Sequence, residues 1–309
     1  MPSNRMTRAL SKLVDPPEGV VPLAVKVPEV TALFWAIKIT STAMGEALAD
    51  FLDGPANVIV AGLGSLLAAA LFIFALRAQF RTRRYDTMRY WFGVAMVATF
   101  GTMAADSLHQ FLGVSYFLTT VFYAAILALV FWRWWANEGT LSIHSIDTRR
   151  REHFYWATVL ATFALGTATG DWTATELHLG FFSSGLVFAG AIMLPLLAYR
   201  LGANSIVTFW VAYILTRPLG ASFADWFDYP RSAGGLGIHR VVVWSALALV
   251  MAGLVAILAR RERDPKSAEA AHDHAGTAWF GADEHPHPHL PHLSTPGHGM
   301  HPRPELAAD

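Results

Sequence analysis

The chain of 309 residues has no cysteine, which excludes disulfides and thiolate metal sites. Charge is also scarce. Asp, Glu, Lys and Arg make up 15% of the chain, whereas a soluble globule carries about 25%. The formal charges cancel, and the basic residues fall between apolar stretches rather than in one patch, so no nucleic-acid partner is expected. The sequence contains no H-E-x-x-H, no G-x-S-x-G and no phosphate-binding P-loop, which removes the enzyme classes those motifs carry. No pair of histidines lies within an apolar stretch, so haem ligation has no support.

Apolar residues dominate what is present, at 54% of the chain with a mean hydropathy of +0.37. Eight stretches are near the roughly 20 residues that cross a bilayer as a helix. They run over about 30–50, 56–76, 90–110, 114–132, 154–172, 181–199, 205–226 and 240–259. The even-numbered stretches are rich in Leu, Val, Ala, Ile and Phe, as in Val58–Phe74 and Val241–Leu258, and leave no polar face for water. The expected fold is an all-α polytopic membrane protein in contact with the lipid bilayer. Arg77, Arg81, Arg83, Arg84 and Arg89 flank the second connection, and Arg149, Arg150 and Arg151 lie in the fourth. Arg200 lies in the sixth connection, and Arg260, Arg261, Arg263 and Lys266 follow the last stretch. The positive-inside rule therefore places both termini in the cytoplasm. Residues 1–27 read as a cytoplasmic arm, since they carry basic residues but no apolar core before a cleavage site.

One skeleton recurs four times: Trp, Gly ten residues on, and Asp five residues later. The sets are Trp35–Gly45–Asp50, Trp91–Gly101–Asp106, Trp156–Gly166–Asp171 and Trp210–Gly220–Asp225, and an aromatic residue precedes each Trp (Phe34, Tyr90, Tyr155, Phe209). Given a Trp, chance supplies both offsets about once in 300 trials. The spacing predicts four parallel two-helix repeats, each a motif helix followed by a plain helix, over 28–83, 84–148, 149–202 and 203–266. Hydroxyls and small residues concentrate on the motif helices and place these at the centre, with the plain helices around them. The Trp residues are expected in an interfacial aromatic belt at the cytoplasmic ends, and the Asp residues near the outer face.

A carboxylate in a bilayer must pair, face water or hold a cation. Asp50, Asp106, Asp171 and Asp225 at one register suggest a ring of ligands; backbone capping at the helix ends is the structural alternative. One residue after each glycine stand Glu46, Thr102, Thr167 and Ala221, so Glu46 adds a deeper carboxylate on the face of Asp50. Arg217, four residues lower in register than Glu46 and followed by Pro218, is within reach of it as a charge pair or gate. Lys38, one turn past Trp35, is expected to snorkel to the cytoplasmic interface and belongs to the same set of gating charges. Three residues beyond the Asp register stand Asp53, His109 and Asp228, with Ala174 in the third unit. The candidate metal ligands are Glu46, Asp50, Asp106, His109, Asp171 and Asp225. Hard carboxylates favour Mg or Mn, and His109 would admit Zn, Ni or Co.

Residues 267–309 differ in composition, being rich in Pro, Gly and His and poor in apolar residues, and they read as a disordered cytoplasmic tail. His272 and His274, then His285, His287 and His289, resemble labile metal-binding tracts.

The opening Lys26-Val-Pro-Glu-Val-Thr31, followed by Phe34-Trp35, Lys38, Gly45-Glu46 and Asp50, together with the Trp–Gly–Asp motifs of all four units, resembles an uncharacterised bacterial integral-membrane repeat family of the DUF347 or "membrane-anchored protein" type, although the Lys-Val-Pro-Glu opening recurs poorly in the later units. The resemblance covers about 24–260 and implies a multi-pass protein of the bacterial inner membrane. It brings no substrate, cofactor or activity. The residues themselves favour a transporter or channel for a small cation, foremost a divalent metal ion, with proton coupling as an option. The alternatives are a metal-dependent membrane enzyme of hydrolase type or a metal-sensing membrane scaffold. No catalytic residue is assigned, and monomer and homodimer both remain open.

Overall fold

Side-chain caps set where the helices start. Phe34 N–H donates to Thr31 Oγ1 (3.2 Å), Arg89 N–H to Asp86 Oδ1 (2.9 Å), Leu118 N–H to Ser115 Oγ (3.3 Å), Arg151 N–H to Thr148 Oγ1 (3.3 Å) and Val207 N–H to Asn204 Oδ1 (3.0 Å). Glycines in the left-handed region end two of them, Gly113 at φ 63° and Gly139 at φ 69°. The computed structural model describes residues 25–54 and 58–263. Eight helices follow in order: α1 (Ala32–Leu52), α2 (Val58–Arg81), α3 (Thr87–Leu112), α4 (Tyr116–Glu138), α5 (Arg149–Asp171), α6, α7 (Ser205–Asp228) and α8 (Arg240–Arg263). Helix α6 is interrupted once, as Phe181–Ala191 and Met193–Arg200. The described residues contain no strand. The tail histidines His272, His274, His285, His287 and His289 lie outside the described residues, as do positions 1–24.

Five of the eight helices are long and apolar enough to cross a membrane: α2 from Ala61, α4, α6, α7 and α8. They mark a membrane protein. Helices α1, α3 and α5 fall below that measure, because the hydroxyls, glycines and acids of the motif lie on them and turn inward. The large apolar side chains of α2 and α8 point outward instead, with Ile59, Leu66 and Leu249 each about 70% exposed or more.

The four motif helices close a ring in the order α1, α3, α5, α7 and back to α1. At each crossing the motif glycine of one helix meets the residue three before the glycine of the next. A Cβ on Gly45 would collide with Ala98, and one on Gly101 would lie 2.7 Å from the Cβ of Phe163. A Cβ on Gly166 would run into the stem of Arg217, and one on Gly220 into Thr42. The same step repeated four times returns to its start, which is what an axis along the helix bundle requires. At the Trp end the aromatic preceding each Trp packs on the Trp of the next unit: Phe34 on Trp91 (5.6 Å), Tyr90 on Trp156 (5.6 Å), Tyr155 on Trp210 (6.3 Å) and Phe209 on Trp35 (5.7 Å). Three of the four motif indoles are thereby turned away from the expected interfacial belt, while Trp35 is half-buried. Trp91, Trp156 and Trp210 are buried inside the ring, because aromatic pairs between units fill the end of the bundle that the glycines leave narrow.

The plain helices depart from a simple hairpin. Each packs chiefly on the motif helix of the following unit: α2 on α3, α4 on α5, α6 on α7, and α8 on α1. Helix α2 meets its own unit near the turn, where Gly64 lies against Leu52, and then leans on α3 with Phe72 stacked on Phe100 at 4.5 Å. The last helix thus covers the first, and the ring is locked from outside as well as inside. Before α1, Lys26 is buried and pairs with Glu152 at 2.5 Å, while Gln79 Nε2 donates to the other Glu152 oxygen at 3.4 Å, so the chain entering the first unit is pinned to α5 and α2.

Gly220→Ala is expected to destabilise the protein by about 1–3 kcal/mol, because Thr42 and the backbone of Ala43 occupy the space a methyl needs. Gly253→Ala, on the outer face of α8 with nothing within 4 Å, is expected to be neutral or to stabilise by up to about 1 kcal/mol. Thermal melts of the two variants in detergent check the contrast.

Candidate functional site

The centre of the ring holds a buried ion pair. Arg217 Nη2 lies 2.7 Å from Glu46 Oε2, and both residues are almost wholly covered. The same Nη2 donates to Thr167 Oγ1 (2.8 Å) and to Thr102 Oγ1. Nη1 donates to the carbonyl of Thr42 (2.7 Å) and Nε to that of Phe163 (3.3 Å). The two threonine hydroxyls also donate to Glu46 Oε2, at 3.0 and 3.1 Å. A guanidinium from α7, a carboxylate from α1 and hydroxyls from α3 and α5 therefore meet on the axis, one residue type from each unit. Gly166 makes this possible, because its missing Cβ admits the Arg217 stem. Helix α7 runs through Pro218 without interruption.

Lys38 does not snorkel. It is 1% exposed, and its ammonium lies 4.0 Å from the Phe163 ring centre and 4.1 Å from that of Tyr213, with no hydrogen-bond acceptor. Its helix face turns inward with Ser41, Thr42 and Glu46, so the stem has no path to the interface, and the charge is held by ring faces alone. The Phe163 ring also contacts the Arg217 guanidinium at 4.9 Å, so both nitrogen groups rest on one aromatic.

On the Asp side of this pair the repeated carboxylates gather. Ligand oxygens of Glu46, Asp50 and Asp106 lie within 4.8 Å of one another, and so do those of Asp50, Asp225 and Asp228. Asp171 completes the register from α5 and is buried. Asp106, Asp171 and Asp225 stand beside one another in this register without an ion-pair partner among the described residues. The nearest counter-charge at the rim is Arg240, whose Nη1 donates to the Asp50 carbonyl (2.8 Å) and whose other nitrogens stand 3.8 Å from Asp50 Oδ2 and 3.9 Å from Asp228 Oδ2. Asp53, just beyond α1, is held by the Ser65 hydroxyl at 3.3 Å; burial raises its carboxyl above the ordinary range, with Ser65 and Arg240 acting in the opposite direction.

His109 is not brought into either acidic group. Its Nδ1 lies 2.9 Å from the Val114 carbonyl and its ring stacks on Tyr116 at 3.9 Å, so it ties down the α3–α4 turn. The motif helix of the third unit, which has Ala174 where others have a polar residue, runs on into a π-helical turn, Trp172–Glu176. Glu176 there accepts from the Tyr116 and Phe117 amides, at 2.7 and 3.3 Å, and so caps α4.

The donor set around the axis consists of carboxylates and hydroxyls, which suits a hard cation. Arg240 belongs to this site but reads in the sequence only as a loop charge. Its signal is its place as the first residue of α8, the helix that covers Asp50 on α1.

Arg217→Met is expected to lower stability by about 3–5 kcal/mol, because Glu46 is left buried without its partner. Adding Glu46→Gln should recover part of that loss. Lys38→Met should leave the melting temperature unchanged or raise it, since the thioether keeps the ring contacts and removes an unpaired charge. Melting curves of the four proteins in detergent measure each step.

The Repeat of Unknown Function model (DUF347) matches the chain four times, over residues 33–85, 89–140, 154–202 and 208–264. No curated protein and no solved structure matches it. Each match holds one Trp–Gly–Asp helix with the plain helix that follows, and the chain belongs to the DUF347 repeat family.

Proposed function

We propose that the protein is a transporter or channel for a divalent cation, with all eight helices crossing a bacterial inner membrane and both termini in the cytoplasm. The observation that carries this reading is that two groups of carboxylates, Glu46 with Asp50 and Asp106, and Asp50 with Asp225 and Asp228, share Asp50 in a closed helix ring, with Arg240 the counter-charge at the rim and no closer than 3.8 Å to either carboxylate. A structural carboxylate in a bilayer would be paired or capped. A group of like charges left short of partners is stabilised by a cation. The absence of histidine from both groups favours Mn or Mg over Zn, Ni or Co.

The path along the axis is closed below the acids. Arg217 fills it at the level of Glu46, and the aromatic ring of Phe34, Tyr90, Tyr155, Phe209 and the four Trp residues fills it at the Trp end. A cation arriving at Glu46 competes with the guanidinium for the same carboxylate, so entry and release of Arg217 are coupled. All four repeats run parallel, which makes rocking of inverted halves an unsuitable mechanism and movement of the Arg217 side chain the natural gate. A proton is the alternative counter-ion at the same carboxylates. The hydrolase reading would need an imidazole beside the acids, and His109 is engaged elsewhere.

Manganese flux into proteoliposomes tests this. The full-length protein should raise Mn²⁺ entry above protein-free vesicles. Asp106→Asn should lower it by at least the roughly tenfold that loss of even an outer-shell partner costs a metal site. Glu46→Gln should do the same. Equal flux in wild type and Asp106→Asn would overturn the proposal.

A further inference from the structure

The ring has four seams, and among the described residues one gathers three aspartates at its rim. Where unit four meets unit one, Asp225 and Asp228 of α7 face Asp50 of α1, with ligand oxygens within 4.8 Å of one another. The other seams are spent or incomplete: His109 is bound to the Val114 carbonyl, Ala174 has no ligand atom, and Asp53 is held by Ser65. Asp228 sets the fourth-to-first seam apart. Its side chain is fully covered, and no other residue donates a hydrogen bond to either of its oxygens. Asp50 Oδ2 is likewise buried without a donor.

Arg240 stands over this seam without closing it. Its one short bond is to the Asp50 backbone carbonyl at 2.8 Å, and it approaches the Asp50 and Asp228 carboxylates only to 3.8 and 3.9 Å. Those distances give Coulomb attraction but no hydrogen bond. Arg217, by contrast, is bonded at 2.7 Å to Glu46 and to four further oxygens. Arg240 is also about a third exposed and lines an open cleft of about 1340 Å³, together with Asp53, Asp228, Arg231 and His239. The cleft lies between the end of α1, the start of α2 and the α7–α8 connection, and among the three aspartates of the seam Asp228 is the one that lines it.

We propose that Asp50, Asp225 and Asp228 form an entry site for a divalent cation, reached through this cleft, which Arg240 covers as a resident counter-charge and leaves when the ion binds. This rests on the reading that the axial carboxylates handle a cation, and it adds where the ion enters and what guards the entrance. Asp50 is common to the rim group and to the deeper group with Glu46 and Asp106, so an ion at the rim reaches the axis by keeping one ligand while exchanging the others. Three carboxylates against one arginine leave an excess of negative charge, and an ion that coordinates the unpartnered oxygens directly replaces an arginine that touches none of them.

Equilibrium binding of Mn²⁺ to the full-length protein in detergent, read from the electron paramagnetic resonance signal of free Mn²⁺, tests the entry site. All variants carry alanine at the eight tail histidines, which removes the tail as a ligand source. Asp228→Asn is expected to weaken Mn²⁺ binding by at least about tenfold. Arg240→Gln is expected to tighten it, and Arg240→Lys to restore the wild-type affinity by keeping the charge. Wild-type affinity in Asp228→Asn, or weaker binding in Arg240→Gln, overturns the proposal; if Asp228→Asn does not fold, the Arg240 pair decides alone. The two proposals fail separately. The expected binding pattern without Mn²⁺ flux in vesicles keeps the entry site and removes transport. Flux that depends on Asp106 but is accompanied by unchanged binding in the Asp228 and Arg240 variants keeps transport and removes the entry site.

Discussion

Two helices can approach until their side chains meet, and at a glycine that limit is the backbone itself. In this protein Gly45, Gly101, Gly166 and Gly220 set the limit four times around one axis. Each accepts the residue three before the next glycine, so the contact made by one unit positions the glycine that makes the following contact. Closing the cycle between Gly220 and Thr42 fixes the register of all four motif helices together. The four Asp residues, five places beyond each glycine, are thereby held at one end of the ring, and the paired aromatics, ten and eleven places before, at the other. Hydroxyl and carboxylate chemistry on the axis depends on that closeness.

The ring is fourfold in its backbone and asymmetric in its chemistry. The residue three before the glycine is Thr42, Ala98, Phe163 and Arg217 in turn, and the residue one after it is Glu46, Thr102, Thr167 and Ala221. Arginine and glutamate occur once each, at places where their partners are hydroxyls and carbonyls, and they meet across the axis at 2.7 Å. Repetition supplies a frame in which equivalent positions converge, and divergence of single positions turns that convergence into one site instead of four copies. The same logic holds at the rim, where among the described residues the seam between the fourth and first units keeps a second acid, Asp228, short of donors.

The repeat, the helices and the family were legible in the sequence because they depend on local spacing. A Trp–Gly–Asp skeleton is a pattern along one helix, and cap residues such as Thr31 and Asp86 act within one turn. Helix ends shifted by a few residues, as with α4, which continues to Glu138 before Gly139 stops it. The burial of Lys38 was not legible. An interfacial position follows from its distance from Trp35 only if that Trp marks a flat outer belt, and the Trp35 indole instead packs on Phe34 and Phe209 of the ring. The role of Arg240 was hidden for a related reason: it lies 190 positions from Asp50 in the chain and reaches it only because α8 covers α1.

The sequence by itself determined how many units there are, which face of each motif helix is polar, and that the carboxylates share a register, since all of these are periodic properties of a single segment. Only the tertiary structure decided which unit follows which around the axis, that each plain helix leans on its neighbour's motif helix, and that Arg217 lies on Glu46 while Lys38 lies among aromatic rings. Those outcomes come from contacts between segments, where the removal of one Cβ at a crossing decides which side chain reaches the centre.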